Sequence, residues 1–214
     1  MSEQRLTKQG LWDILEGWEE YVPSRIRLVA CGGTALTLQE IKESTRDVDF
    51  VVPNHDEYDA LIRTITKLGY RLERGEGWTI AGDPFIFDLF KGQRVFTTGL
   101  LDSPLEAGRH IPIREIGKLH ISALNDLDLV ISKMFRGNEI DVQDCLALIK
   151  ARDGAFDVEA LKARYQETAS FDVGTVPGPA AGSVVVGAPT AWALMVSYDE
   201  SVRSRRSSTA ARGA

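Results

Sequence analysis

The sequence predicts an α+β fold, a mixed β-sheet flanked by helices with a C-terminal helical subdomain after it. Three observations carry that expectation. Residues 8–69 alternate helix and strand signals around a glycine pair, Gly32-Gly33. Residues 70–124 hold short apolar runs separated by turns, and after Leu124 apolar residues recur at helical spacing.

Each element has a local reason. Leu11, Ile14, Leu15, Trp18 and Val22 recur at helical spacing, which predicts a helix over 8–22 that Pro23 stops. "RIRLVAC" (25–31) reads as a strand ending in Gly32-Gly33, and "TALTLQEI" (34–41) as a helix with Thr34 at its N-cap. "DVDFVV" (47–52) reads as a strand broken by Pro53-Asn54. Residues 56–69 read as a helix with acidic residues in the first turn and Gly69 at its C-terminus. "YRLER" and "GWTIAG" predict a hairpin around Gly75–Gly77, "PFIFDLFKG" (84–92) a strand, and "RHIPIREI" and "KLHISAL" two more around Gly117. Helices are expected over 125–137, 139–154 and 158–167. From about Phe171 the chain is rich in Gly, Pro, Ala and Ser without period, ending in a basic tail, and no regular structure is expected there. The expected organisation is a core over 1–124, a helical subdomain over 125–170, and a tail over 171–214.

The 214 residues carry a net charge of -6 and a pI near 5.2, which is no electrostatic footprint for general nucleic-acid binding. Cys31 and Cys145 lie far apart without metal-ligand spacing, and His55, His110 and His120 have no mutual spacing that marks a metal site. The first residues are polar with no apolar signal run, and "VVVGAPTAWALMV" (184–196) is too short and interrupted to span a bilayer. A soluble, cytoplasmic protein is expected, with no membrane partner.

The chemistry-bearing stretch is "CGGTALTLQEIKESTRDVDFVV" (31–52). In a strand, Asp47 and Asp49 would face the same way, and two adjacent carboxylates repel unless a cation sits between them. A hard divalent ion such as Mg²⁺ is commonly held by one or two carboxylates plus substrate phosphates. Glycines at 32 and 33, followed by Thr34 at a helix start, would let backbone approach a phosphate. Asp88, alone among apolar neighbours, is the candidate third carboxylate, as ligand or as base for an attacking hydroxyl.

These residues resemble a known signature. "GGTALTL" followed by "TRDVDFVV" is similar to the Gly-Gly turn, helix and Asp-x-Asp strand of the DNA polymerase β-like nucleotidyltransferase superfamily, and looks most like its minimal branch that includes AbiEii-type toxins. "LNDLDLVISKMFRGNEIDVQDCLALI" resembles that branch's Lys, Arg and Asp-x-x-Asp helical motif at Lys133, Arg136, Asp141 and Asp144. The resemblance implies a nucleotidyltransferase-like fold that moves a nucleoside monophosphate from an NTP to an acceptor hydroxyl on RNA, such as a tRNA 3′ end, or on protein. It implies Mg²⁺, with Mn²⁺ as the alternative, held by Asp47, Asp49 and Asp88, and phosphates met by Gly32 and Gly33. Lys133 would neutralise the β/γ-phosphates, with Asp141 and Asp144 orienting Lys133 or the acceptor. It also brings a toxin role with an antitoxin partner. Two positions depart from the pattern: Gly33 stands where many members have Ser, and Ile140 where Arg often precedes the first helical Asp.

Plainer readings stand beside these. Asp47 and Asp49 could be solvated on an edge strand, although Phe50-Val51-Val52 argues against it. Asp88 could be an outward residue of a half-buried strand, and Lys133 an ordinary solvated helix lysine. Asp141 and Asp144 could serve only the helix dipole. Arg46 could meet a phosphate or pair with a carboxylate. A nucleotide- or protein-binding module without catalysis is the alternative to an enzyme.

Overall fold

The computed structural model describes residues 4–152 and 154–175. In chain order the elements are β1 (Leu6–Thr7), α1 (Lys8–Glu19), β2 (Ile26–Ala30), α2 (Gly32–Leu38), β3 (Ser44–Thr45), β4 (Val48–Val52) and α3 (His55–Lys67). They continue with β5 (Arg71–Arg74), β6 (Gly77–Thr79), β7 (Phe87–Lys91), β8 (Arg94–Val95), β9 (Thr98–Gly99), β10 (His110–Ile116) and β11 (Leu119–Leu124). Three helices close the series, α4 (Asp126–Arg136), α5 (Glu139–Ala151) and α6 (Val158–Thr175). The fold is α+β, and the chain divides into two compact units, Met1–Leu129 and Val130–Ala214. No helix of the described residues is long and apolar enough to cross a membrane.

The first unit is organised on a seven-stranded mixed sheet of order β10-β11-β2-β4-β7-β6-β5. β11 runs parallel to β2, and β4 parallel to β7, while the other pairs are antiparallel. Alternation along the strands gives the sheet two distinct faces. On one, Phe87 meets Trp18 of α1 at 5.4 Å and Tyr70, just after α3, at 5.2 Å between ring centroids. Lys91, of the same parity as Phe87, pairs with Asp59 of α3. So α1 and α3 both cover that face, burying Leu11, Leu15, Trp18, Leu61 and Ile65 against it. The other face carries Asp49, Val51, Asp88 and Phe90, and Phe90 packs on Phe96 from the β8–β9 connection at 4.8 Å.

Several elements differ from expectation. Thr7 caps α1 by accepting from Gly10 N at 3.2 Å, and the helix ends at Glu19, with Val22 still buried beyond it. α2 begins at Gly32, with Cys31 at the cap position and no side-chain capping bond, so Thr34 lies inside the first turn and is not the N-cap. β4 begins at Val48, which leaves Asp47 in the bend before it. α3 is capped by Asn54, whose Oδ1 accepts from Glu57 N at 3.0 Å, and it stops at Lys67. The β8–β9 hairpin has no counterpart among the sequence expectations. Its pairs are two residues long, below what periodicity can register. α6 runs eight residues past its expected end, so residues 171–175 of the expected tail are helical. The rest of that tail, 176–214, lies outside the described residues.

Candidate active site

Asp49 lies on β4 directly beside Asp88 on β7, in a parallel register that also pairs Val48 with Phe87 and Phe50 with Leu89. Register partners on adjacent strands point to the same face, and neighbouring strands are about 4.8 Å apart. The two carboxylates therefore share one patch of the face not covered by α1 and α3. Asp49 is buried, at 5% exposure, and Asp88 is half-buried. Asp47 is exposed and outside the strand, so strand alternation does not pair it with Asp49.

The chain between β2 and β4 is shaped to hold Asp49 in place. Cys31 N donates to Asp49 O at 3.0 Å, tying the end of β2 to the start of β4. Thr34, fully buried, accepts from Asp49 N at 2.9 Å and donates to Asp47 O at 3.2 Å. Thr45 Oγ1 donates to the same Asp47 carbonyl at 2.9 Å. The two threonines thus fix the backbone on either side of Val48. The Thr34 hydroxyl is engaged both as donor and as acceptor. It acts on the position of Asp49.

The glycine pair is required by this packing. Gly32 has φ +55°, and a Cβ there would overlap the Asp49 carboxylate. A Cβ on Gly33 would fall 2.5 Å from Thr45 Oγ1. On the far side of Asp88, Gly77 of β6 is its register partner, and a Cβ there would stand 3.2 Å from Asp88 Oδ1. Both carboxylates are therefore bordered by bare backbone, a common way of letting a ligand close on a strand.

Two like charges in register repel each other, and a cation between them would offset that repulsion. Their oxygen donors fit a hard divalent ion such as Mg²⁺ whose remaining positions go to water and phosphate. Among the described residues no three His, Cys, Asp or Glu side chains gather as a ready-made metal cluster. Asp47 is not brought into such a group. Arg46 is exposed beside it.

The second unit has its own charged centre. Lys133 of α4 is buried, at 2% exposure, with Nζ 2.7 Å from Asp144 and 3.5 Å from Asp141 of α5. Arg136 Nε donates to Asp141 Oδ2 at 2.8 Å. Asn138 caps α5 by accepting from Asp141 N at 2.9 Å. Asp141 and Asp144 are both buried, so they are not solvated first-turn acids, and Lys133 is not a solvated helix lysine. Its charge is compensated inside the unit, which departs from the expectation of an available point charge for phosphates. Beside them the Cys145 thiol is pushed up to about 12, chiefly by burial, with Lys133 pulling weakly the other way.

Two participants were not among the sequence candidates. Thr45 could have been found from its place two residues before Asp47, where a hydroxyl can bond the local backbone. Gly77 carries no such signal, since only the β6–β7 register makes it the neighbour of Asp88.

No family model and no curated protein sequence matches the chain. Solved structures do. The structure of ANT(2")-Ia in complex with adenylyl-2"-tobramycin is similar over 77% of this chain and 97% of that one, at 12% identity and a TM-score of 0.53. JHP933 from Helicobacter pylori is similar over 98% and 100%, at 12% identity and a TM-score of 0.48. MenT4, a nucleotidyltransferase toxin from Mycobacterium tuberculosis, is similar over 92% and 86%, at 15% identity and a TM-score of 0.43. At these identities the likeness is one of fold, and it is the first of the three that carries it. The fold is nucleotidyltransferase-like.

Proposed function

We propose that this chain is a Mg²⁺-dependent nucleotidyltransferase that moves a nucleoside monophosphate from an NTP to an acceptor hydroxyl. The observation that carries the reading is the in-register pair Asp49 and Asp88, set against the side-chain-free Gly32-Gly33 turn. Asp49 and Asp88 would hold the ion, which when bound neutralises charge on the phosphates. The Gly32-Gly33 backbone lets the phosphates approach, and Thr34 and Thr45 keep Asp49 at the height the turn requires. The acceptor oxygen forms a bond to the α-phosphorus, and the bond from that phosphorus to pyrophosphate breaks. Pyrophosphate leaves with the bonding pair, and the hydroxyl proton passes to the Asp88 carboxylate. Positioning and electrostatics supply most of the acceleration in reactions of this kind.

Lys133, Arg136, Asp141 and Asp144 form the framework of the helical unit in this reading. A toxin role, an antitoxin partner, and RNA or protein as acceptor are supported by the sequence resemblance to the AbiEii-type branch. The compensated Lys133 favours a second reading, nucleotide binding without turnover. Incubation of the full chain with each α-labelled NTP and Mg²⁺ separates them. Pyrophosphate release that disappears in Asp49→Asn supports transfer, and tight NTP binding with no release supports the binding module.

A further inference from the structure

We propose that the groove along β10, β11 and the start of β2 is a second ligand site, which takes a free nucleoside with an amino-bearing base such as adenine or cytosine. The inference goes beyond nucleotidyl transfer, because its ligand is not the NTP of that reaction. The groove has a volume of about 530 Å³, the size of a small-molecule site. Arg27, His110 and His120 line it, with Leu105 and Pro112 on its apolar side.

Strand register places the groove. His120 on β11 pairs with Arg27 on β2, so both stand on the face that also carries Val29, Val51 and Asp49. Along that face the groove is remote from the carboxylates. Arg27 lies four residues before Cys31, whose N–H meets the Asp49 carbonyl, a span of ~13 Å along β2. His110 on β10 is three strands from β4, ~14 Å across the sheet. Both spans exceed the reach from a nucleotide's α-phosphorus to its base. An NTP seated at Asp49 and Asp88 therefore leaves the groove open.

Planarity and hydrogen-bond sense, rather than charge, select the ligand class. Arg27 Nε donates to the two Glu57 carboxylate oxygens at 2.9 and 3.2 Å, and Arg27 N donates to the same carboxylate at 2.8 Å. The guanidinium plane is thereby fixed and its charge is met. Arg114 adds no free charge, since its guanidinium bonds Glu16 and lies over the Trp12 ring of α1, the helix on the opposite face. His120 Nδ1 stands 3.0 Å from Glu115 Oε1, and His110 Nδ1 stands 2.7 Å from the Pro104 carbonyl. A carboxylate and a carbonyl only accept, so each Nδ1 carries the proton and each neutral ring keeps Nε2 as an acceptor. Arg27 and His120 are each about a third exposed, which leaves their faces open to a ligand. The groove thus offers oriented planes for stacking, two lone-pair acceptors and an apolar wall. A phosphate gains little there, whereas a base with an exocyclic amino group stacks on the planes and donates to an imidazole.

Calorimetry on the full chain in magnesium-free buffer tests this with adenosine and with inosine, which has the same rings but a carbonyl in place of the amino group. Adenosine should bind, and inosine about tenfold more weakly, the scale of one hydrogen bond lost with its acceptor left unmet. His120→Ala and, separately, Leu105→Trp, which fills the groove, should each weaken adenosine binding about tenfold at unchanged melting temperature. Asp49→Asn should bind adenosine as the wild type does. An adenylate trinucleotide should bind no more tightly than adenosine and without dependence on salt. The proposal is overturned if adenosine does not bind, if inosine binds equally well, or if neither His120→Ala nor Leu105→Trp alters binding. Loss of binding in Asp49→Asn, or a steep salt dependence of the trinucleotide, overturns it as well.

Discussion

Thr34 holds Asp49 by its backbone: the hydroxyl oxygen accepts from Asp49 N–H at 2.9 Å and donates to the Asp47 carbonyl at 3.2 Å, with Thr34 wholly buried. The first turn of α2 and the start of β4 are therefore one piece. Moving either would move the Asp49 carboxylate off the bare flank of Gly32.

Thr34→Val keeps the shape and removes both bonds. It leaves a buried N–H unpaired, which costs about 1–3 kcal/mol. Urea unfolding should show that loss, and pyrophosphate release should fall with it, while Thr34→Ser restores both. Wild-type stability in Thr34→Val would show that the splint is not there.

Asp49→Asn and Asp88→Asn should each lower nucleotidyl transfer at least ~100-fold, the scale of removing one charge-stabilising group from a reacting centre. Transfer at the wild-type rate in both variants would count against the shared carboxylate patch.

Gly32→Ala forces a side chain onto φ +55° and into the Asp49 carboxylate. The backbone cost alone is about 1–2 kcal/mol. Calorimetric NTP binding should weaken in this variant. Gly17, which has open space around it, is the matched control, and Gly17→Ala should bind as wild type.

Lys133→Met leaves Asp144 buried without its partner at 2.7 Å, and breaking such a pair costs about 3–5 kcal/mol. Adding Asp144→Leu to the same chain should recover part of the loss, because the unpaired buried carboxylate is gone while Asp141 keeps its Arg136 partner. A denaturant double-mutant cycle measures this coupling. Additive losses would mean that the two residues do not stabilise each other.

The Cys145 thiol rises from an ordinary 9.0 to about 12 on folding, so the native state favours its neutral form. Its contribution is fully present below pH 9. It is lost as pH climbs towards 12, because the unfolded chain releases the proton first. The slope is about 1.4 kcal/mol per pH unit across that window. Stability against pH, compared between wild type and Cys145→Ala, should diverge by that slope above pH 9. Parallel curves would refute the shift.

Much of the structure around the candidate site was legible because it is local. The Gly-Gly turn, the short helix and the strand at 48–52 follow from composition and spacing, and Asp88 stood out as an acid among apolar neighbours. Asp47 misled, because alternation was extended one residue beyond where β4 begins. Thr34 misled too. A threonine after two glycines resembles an N-cap, but the glycines themselves enter the helix, since only residues without side chains tolerate the Asp49 carboxylate and Thr45 hydroxyl against that turn.

The sequence by itself determined the α+β order, the candidate carboxylates and the glycine turn, and the acidic balance, all of which are read from residues close together in the chain or from composition. Only the tertiary structure decided which of those residues meet. The parallel β4–β7 register put Asp88 beside Asp49, and the β6–β7 register put Gly77 on the other flank of Asp88. Burial turned Lys133, Asp141 and Asp144 from plausible surface charges into a closed ion-pair centre. Strand register and burial are set by contacts between distant segments, and the energy of those contacts is not written in the spacing of any one of them.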